Sequence, residues 1–117
     1  MNFSLQDMVI QWLENCFGRG AAESKNERRF RFMEEAVELF QAAGGTPDEI
    51  HRVIEHVYSK PPGQVSQEIA GCYSTLLAFA HSYNIDAEAE LRFELNRVST
   101  PEAMRTIRAK SKRKVRS

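Results

Sequence analysis

Apolar residues recur every three or four positions along nearly the whole chain, between stops made of glycine or proline. No run of β-branched residues alternates with period two, the spacing a half-buried strand requires. These two facts confine the chain to an all-α fold. The punctuation then divides it. Ser4 is placed to cap a first helix with apolar positions Leu5, Met8, Val9, Trp12, Leu13 and Cys16, ended by Phe17, Gly18, Arg19 and Gly20. Ser24 is placed to cap a long second helix that runs to Gly44 and Gly45. Thr46, Pro47 and Glu49 form a capping box with proline in the first turn, and Ile50, Val53, Ile54 and Val57 stripe the helix that follows. Pro61 and Pro62 break the chain. A fourth helix is expected from about Gln64 to Tyr83, a short fifth from Asp86 through Leu95, and a last, basic one from Thr100 and Pro101. The reading is a bundle of about five to six helices.

At 117 residues the chain is one domain's worth, read as a helical body over 1–104 and a basic tail over 105–117. Its apolar faces exceed what one short bundle can cover, so it is expected to assemble as a homo-oligomer, a dimer or a tetramer. No apolar run approaches the roughly 20 residues of a membrane span, and the start lacks the pattern of a signal peptide. Cys16 and Cys72 match no metal spacing and read as reduced core thiols. A cytoplasmic protein without membrane partners is the expectation.

The formal charge of +0 conceals an asymmetry. Seven bases and no acid lie from Arg105 onward, so residues 1–104 carry all sixteen acids against nine bases, a balance of −7. The tail has no interleaved aromatics to stack on bases, which leaves non-specific phosphate binding as its only route to nucleic acid. A solubilising end, or one that docks on the acidic body of a neighbouring subunit, is the commoner use of such a run.

The stretch from Phe30 to Phe40 carries the chemistry. On a helix, Phe30, Met33, Ala36, Val37 and Phe40 share a broad apolar side, while Glu34, Glu35 and Glu38 fall together on the other. Glu35 and Glu38 are three apart and Glu34 and Glu38 four apart, so their carboxylates can converge. Like charges so placed repel unless a cation lies among them, and a hard divalent ion suits carboxylate oxygens. Taken alone, such a cluster is more often a solvated face. The fourth helix adds a second observation: Glu68 is its only acid between Gln64 and Asn84, among apolar residues that make the helix look buried over much of its circumference. Either Glu68 turns inward to share a cation with the second helix, or it stays exposed at the helix start, where the macrodipole favours an acid.

Glu-Glu-x-x-Glu on one helix followed by a glutamate on a later one resembles the MazG-like all-α nucleoside triphosphate pyrophosphohydrolases, over about Trp12 to Arg97. The likeness is closest to a small phage and bacterial branch. It is carried by Cys16-Phe17-Gly18, by the run Arg31-Phe32-Met33-Glu34-Glu35-Ala36-Val37-Glu38-Leu39, and by Gly63-Gln64-Val65-Ser66-Gln67-Glu68. The resemblance implies hydrolysis of a nucleoside triphosphate to monophosphate and pyrophosphate with Mg²⁺ or Mn²⁺. It casts Glu35, Glu38 and Glu68 as metal ligands and Glu34 as the group that orients or activates water. Where the family has an aspartate three residues after the last glutamate, this chain has Gly71. Either a water takes that ligand's place, or the chain is a degenerate relative that works as a non-catalytic binding module.

Arg31 and Lys60, near the ends of the acid-bearing helices, and Asn84 and Arg97, after the fourth helix, are the candidates for holding substrate. Arg28, Arg29, Lys25, Arg92 and Asn96 stand behind them; a solvated or ion-paired surface role is the commoner one for all. Trp12 and Tyr73 are placed to stack on a base, though aromatics at helical spacing usually pack in a core. His51, His56 and His81 form no ligand cluster.

Overall fold

A computed structural model describes residues 3–112 and Lys114. Among these residues there are seven helices and no strand: α1 Leu5–Phe17, α2 Arg19–Glu23, α3 Lys25–Ala42, α4 Pro47–Tyr58, α5 Val65–Ser82, α6 Ala87–Val98 and α7 Pro101–Ser111. None is long and apolar enough to cross a membrane.

Local chemistry sets the ends of most of these helices. Ser4 Oγ accepts from the Asp7 amide at 3.1 Å while Asp7 Oδ2 accepts from the Ser4 amide at 3.2 Å, a reciprocal capping box. Thr46 and Glu49 repeat the box before α4, with Pro47 in the first turn. Ser24, Asp86 and Thr100 each accept one first-turn amide, from Glu27, Ala89 and Ala103. α3 closes in a Schellman turn: Gly45 N–H donates to Phe40 O at 2.8 Å and Gly44 N–H to Gln41 O at 2.9 Å. Gly44 takes φ +93, and a side chain on Gly45 would run into the Phe40 ring. The same pair of bonds closes α5, with Asn84 at φ 57 in the left-handed position.

The short α2 is the helix that the sequence reading lacks. Gly18, at φ 89, makes the break after α1 alone, so Gly20 is free to be helical. An Arg19–Glu23 ion pair at 2.9 Å then spans that single turn.

The chain divides into two compact units, one of Met1–Leu39 with Arg92–Ser117 and one of Phe40–Leu91. In the first, α1 packs on α2 and α7. Its core holds Leu13, Cys16 and Val98, all buried. Trp12 seals this core, donating from Nε1 to Val98 O at 2.9 Å and meeting Phe17 edge to face. In the second unit no residue is buried. Val53, Ile54 and Val57 of α4 and Val65, Ile69, Tyr73, Leu76 and Leu77 of α5 are all exposed. The nearly uncharged composition of α5 points to a covered helix, yet in the single chain most of its apolar side chains face out, because among the described residues no other helix packs closely along them. Cys72, expected in a core, is exposed on the same helix, while Cys16 is buried as expected.

Candidate functional site: the carboxylate face of α3

Because α3 is continuous from Lys25 to Ala42, it carries Glu34, Glu35 and Glu38 within little more than one turn. Phe30, Val37 and Phe40 are half-buried on its apolar side, whereas Met33 and Ala36 are exposed. Glu34 is the best covered of the three acids, its side chain 23% exposed. Lys114 Nζ donates to Glu34 Oε1 at 2.6 Å, and Arg31 Nη1 lies 4.0 Å from the same oxygen. Arg31 Nε also approaches Glu27 at 3.7 Å, so this substrate candidate is engaged with carboxylates of its own helix.

Glu35 is pushed above the usual carboxylate range, first by burial and then by the neighbouring charge of Glu38. Glu34 and Glu94 push in the same direction, and Lys114 opposes them. Glu94 comes from α6 and is gripped by Arg97, whose Nε donates to Glu94 Oε2 at 3.1 Å. That pairing raises the Arg97 guanidinium, and it engages a second substrate candidate with a carboxylate. Near the start of α3, burial lowers the Arg28 guanidinium; Glu27 opposes that shift and the like charge of Arg31 adds to it.

Glu68 belongs to the other unit, exposed in the first turn of α5. Its carboxylate lies back alongside Gly63, where a Cβ would come within 2.7 Å of Glu68 Oε2. Position 71 is open: a Cβ there would meet nothing within 4 Å. Lys60 is exposed in the break after α4. Asn84 has a backbone task, since it supplies the left-handed residue that closes α5. Among the described residues no three carboxylate, imidazole or thiolate groups come together so as to hold a metal ion. Glu34, Glu35 and Glu38 supply oxygen donors of the kind that Mg²⁺ or Mn²⁺ takes, but on their own helix they fall short of a closed site.

Glu94 and Lys114 are the residues bearing on this face that sequence reasoning missed, and with them Arg108, which bonds the end of α1. The opposed charges of body and tail were the only signal, and they carry no register. No protein-family model, curated protein or solved structure matches the chain. What fold and site define together is a helical chain with an acidic face on one helix and uncovered apolar faces on two others.

Proposed function

We propose that the chain is a homo-oligomeric nucleoside triphosphate pyrophosphohydrolase of the MazG-like type, dependent on Mg²⁺ or Mn²⁺. In this reading Glu35, Glu38 and Glu68 hold the cation and Glu34 assists the attacking water. Arg31, Lys60, Asn84 and Arg97 serve the substrate. The observation that carries it is the crowding of Glu34, Glu35 and Glu38 on α3, where burial first and then the neighbouring charge of Glu38 push the Glu35 carboxyl upward. Such a face is a ready acceptor for a cation. The exposed apolar side chains of α4 and α5 support assembly, because burying each fully is worth about 1.5–3 kcal/mol.

A second reading has its own support. Gly71 supplies no carboxylate, and the Glu68 side chain lies against Gly63 at the start of α5. Both favour a non-catalytic helical module that binds partners through its apolar faces.

The open space at position 71 provides the experiment. Wild type, Glu38→Gln and Gly71→Asp are incubated with a panel of triphosphates and Mg²⁺ or Mn²⁺, and pyrophosphate is measured. Hydrolysis by wild type that Glu38→Gln abolishes and Gly71→Asp increases supports the enzyme. No pyrophosphate from wild type or from a folded Gly71→Asp variant leaves the module.

A further inference from the structure

The C-terminal segment is tied to the molecule at more than one point. Arg108 Nε donates to Cys16 O at 2.6 Å, at the end of α1. Cys16 Sγ contributes a weak bond to Met104 O at 3.9 Å. Ala103, Met104 and Ile107 are half-buried along α7. Past the end of this docked helix, Lys114 reaches Glu34 at 2.6 Å across 80 residues of sequence, with its side chain only 33% exposed.

From this arrangement we infer that α7 with Lys114 forms an autoinhibitory strap, whose Lys114 ammonium occupies the Glu34 carboxylate that an attacking water would need and sets a positive charge beside the Glu35 and Glu38 carboxylates that would hold the cation. The inference rests on the proposed cation-binding role of α3. An ammonium on Glu34 and a divalent ion on Glu35 and Glu38 repel each other across one face, so each weakens the other by the same factor. A pair of this partial exposure sets a limited advantage, about twofold to fivefold in cation affinity. The cation therefore releases the strap as it binds, and high salt loosens the strap without it.

The test is a Mn²⁺ titration of the full chain followed by electron paramagnetic resonance, comparing wild type with Lys114→Met and with Lys110→Met. Lys110 is an exposed base of α7, so its variant loses the same charge from the tail without losing the Glu34 contact. Lys114→Met should bind Mn²⁺ about twofold to fivefold tighter, and Lys110→Met should stay close to wild type. In wild type, Mn²⁺ should also speed trypsin cleavage within the tail, a readout that survives if Lys114→Met misfolds. Equal affinities for all three proteins, or equal gains for both variants, overturn the strap while leaving α3 as a cation site. An absence of Mn²⁺ binding in every protein removes the cation reading and the strap with it.

Discussion

Replacing Arg108 by methionine keeps the aliphatic stem and deletes the donors that join α7 to α1. The last turn of α1 contains no basic residue of its own, and the Gly18 amide meets the Glu14 carbonyl. Arg108 supplies the missing cation from the far end of the sequence, bonding Cys16 O at 2.6 Å. Its second contact, Nη2 to Asn15 O at 3.5 Å, is at the limit of a hydrogen bond and adds little. A charge-assisted bond is worth about 1.5–3 kcal/mol, and the exposure of Arg108 argues for the low end. The expected loss is about 1–2 kcal/mol, or roughly 0.5–1 M in the urea midpoint followed by circular dichroism. The two cysteines provide a site-specific assay. Cys72 is exposed and labels in any state, whereas Cys16 is buried beneath α7. Arg108→Met should raise iodoacetamide labelling of Cys16 against Cys72, read by mass spectrometry. Unchanged Cys16 labelling with an unchanged midpoint would refute the claim that this guanidinium docks the helix.

Thr46→Ala removes the hydroxyl that accepts from Glu49 N–H at 3.2 Å, and should cost about 1 kcal/mol, visible as an earlier urea transition. Thr46→Ser should recover most of it. Glu35→Gln should stabilise the protein at neutral pH by a few tenths of a kcal/mol, the scale of like-charge neighbours on a partly solvated helix. The sign follows from the raised carboxyl: its folded-state advantage is complete below the ordinary value near 4.5 and is lost as pH rises through the raised one. The difference in melting temperature between wild type and variant should therefore vanish in acid and open toward neutrality; a difference that grows as pH falls would contradict it.

What the sequence made legible is what short segments decide for themselves. Ser4, Ser24, Thr46, Asp86 and Thr100 cap where their spacing to the next amides places them. Gly44 and Gly45 stop α3 because one must turn left-handed and the other must lie against a phenylalanine ring. α2 is not legible in this way, because Gly18 and Gly20 look alike as breakers and only backbone geometry distinguishes them. Asn84 has the chemistry of a nucleotide contact, but the conformation that closes α5 shows only in the fold. The same spacing that places Glu34, Glu35 and Glu38 together on α3 says nothing about which cation reaches them.

That choice of cation is a matter of tertiary structure, and it shows why charge totals mislead. A chain of formal charge +0 suggests little electrostatic drive, yet its acids and bases are segregated along the sequence. Folding returns one base, Lys114, to the most covered acid of α3, while burial and the neighbouring Glu38 still push Glu35 upward. One ammonium, with an Arg31 guanidinium that is shared with Glu27, neutralises only part of the charge of three carboxylates. The face therefore keeps a residual attraction for a second cation even with the strap in place, and a divalent ion draws on that residual charge against the cost of loosening the Lys114–Glu34 pair. Salt and metal thus weaken the strap by different routes: salt screens the Lys114–Glu34 pair, whereas a divalent ion repels the ammonium from the neighbouring carboxylates.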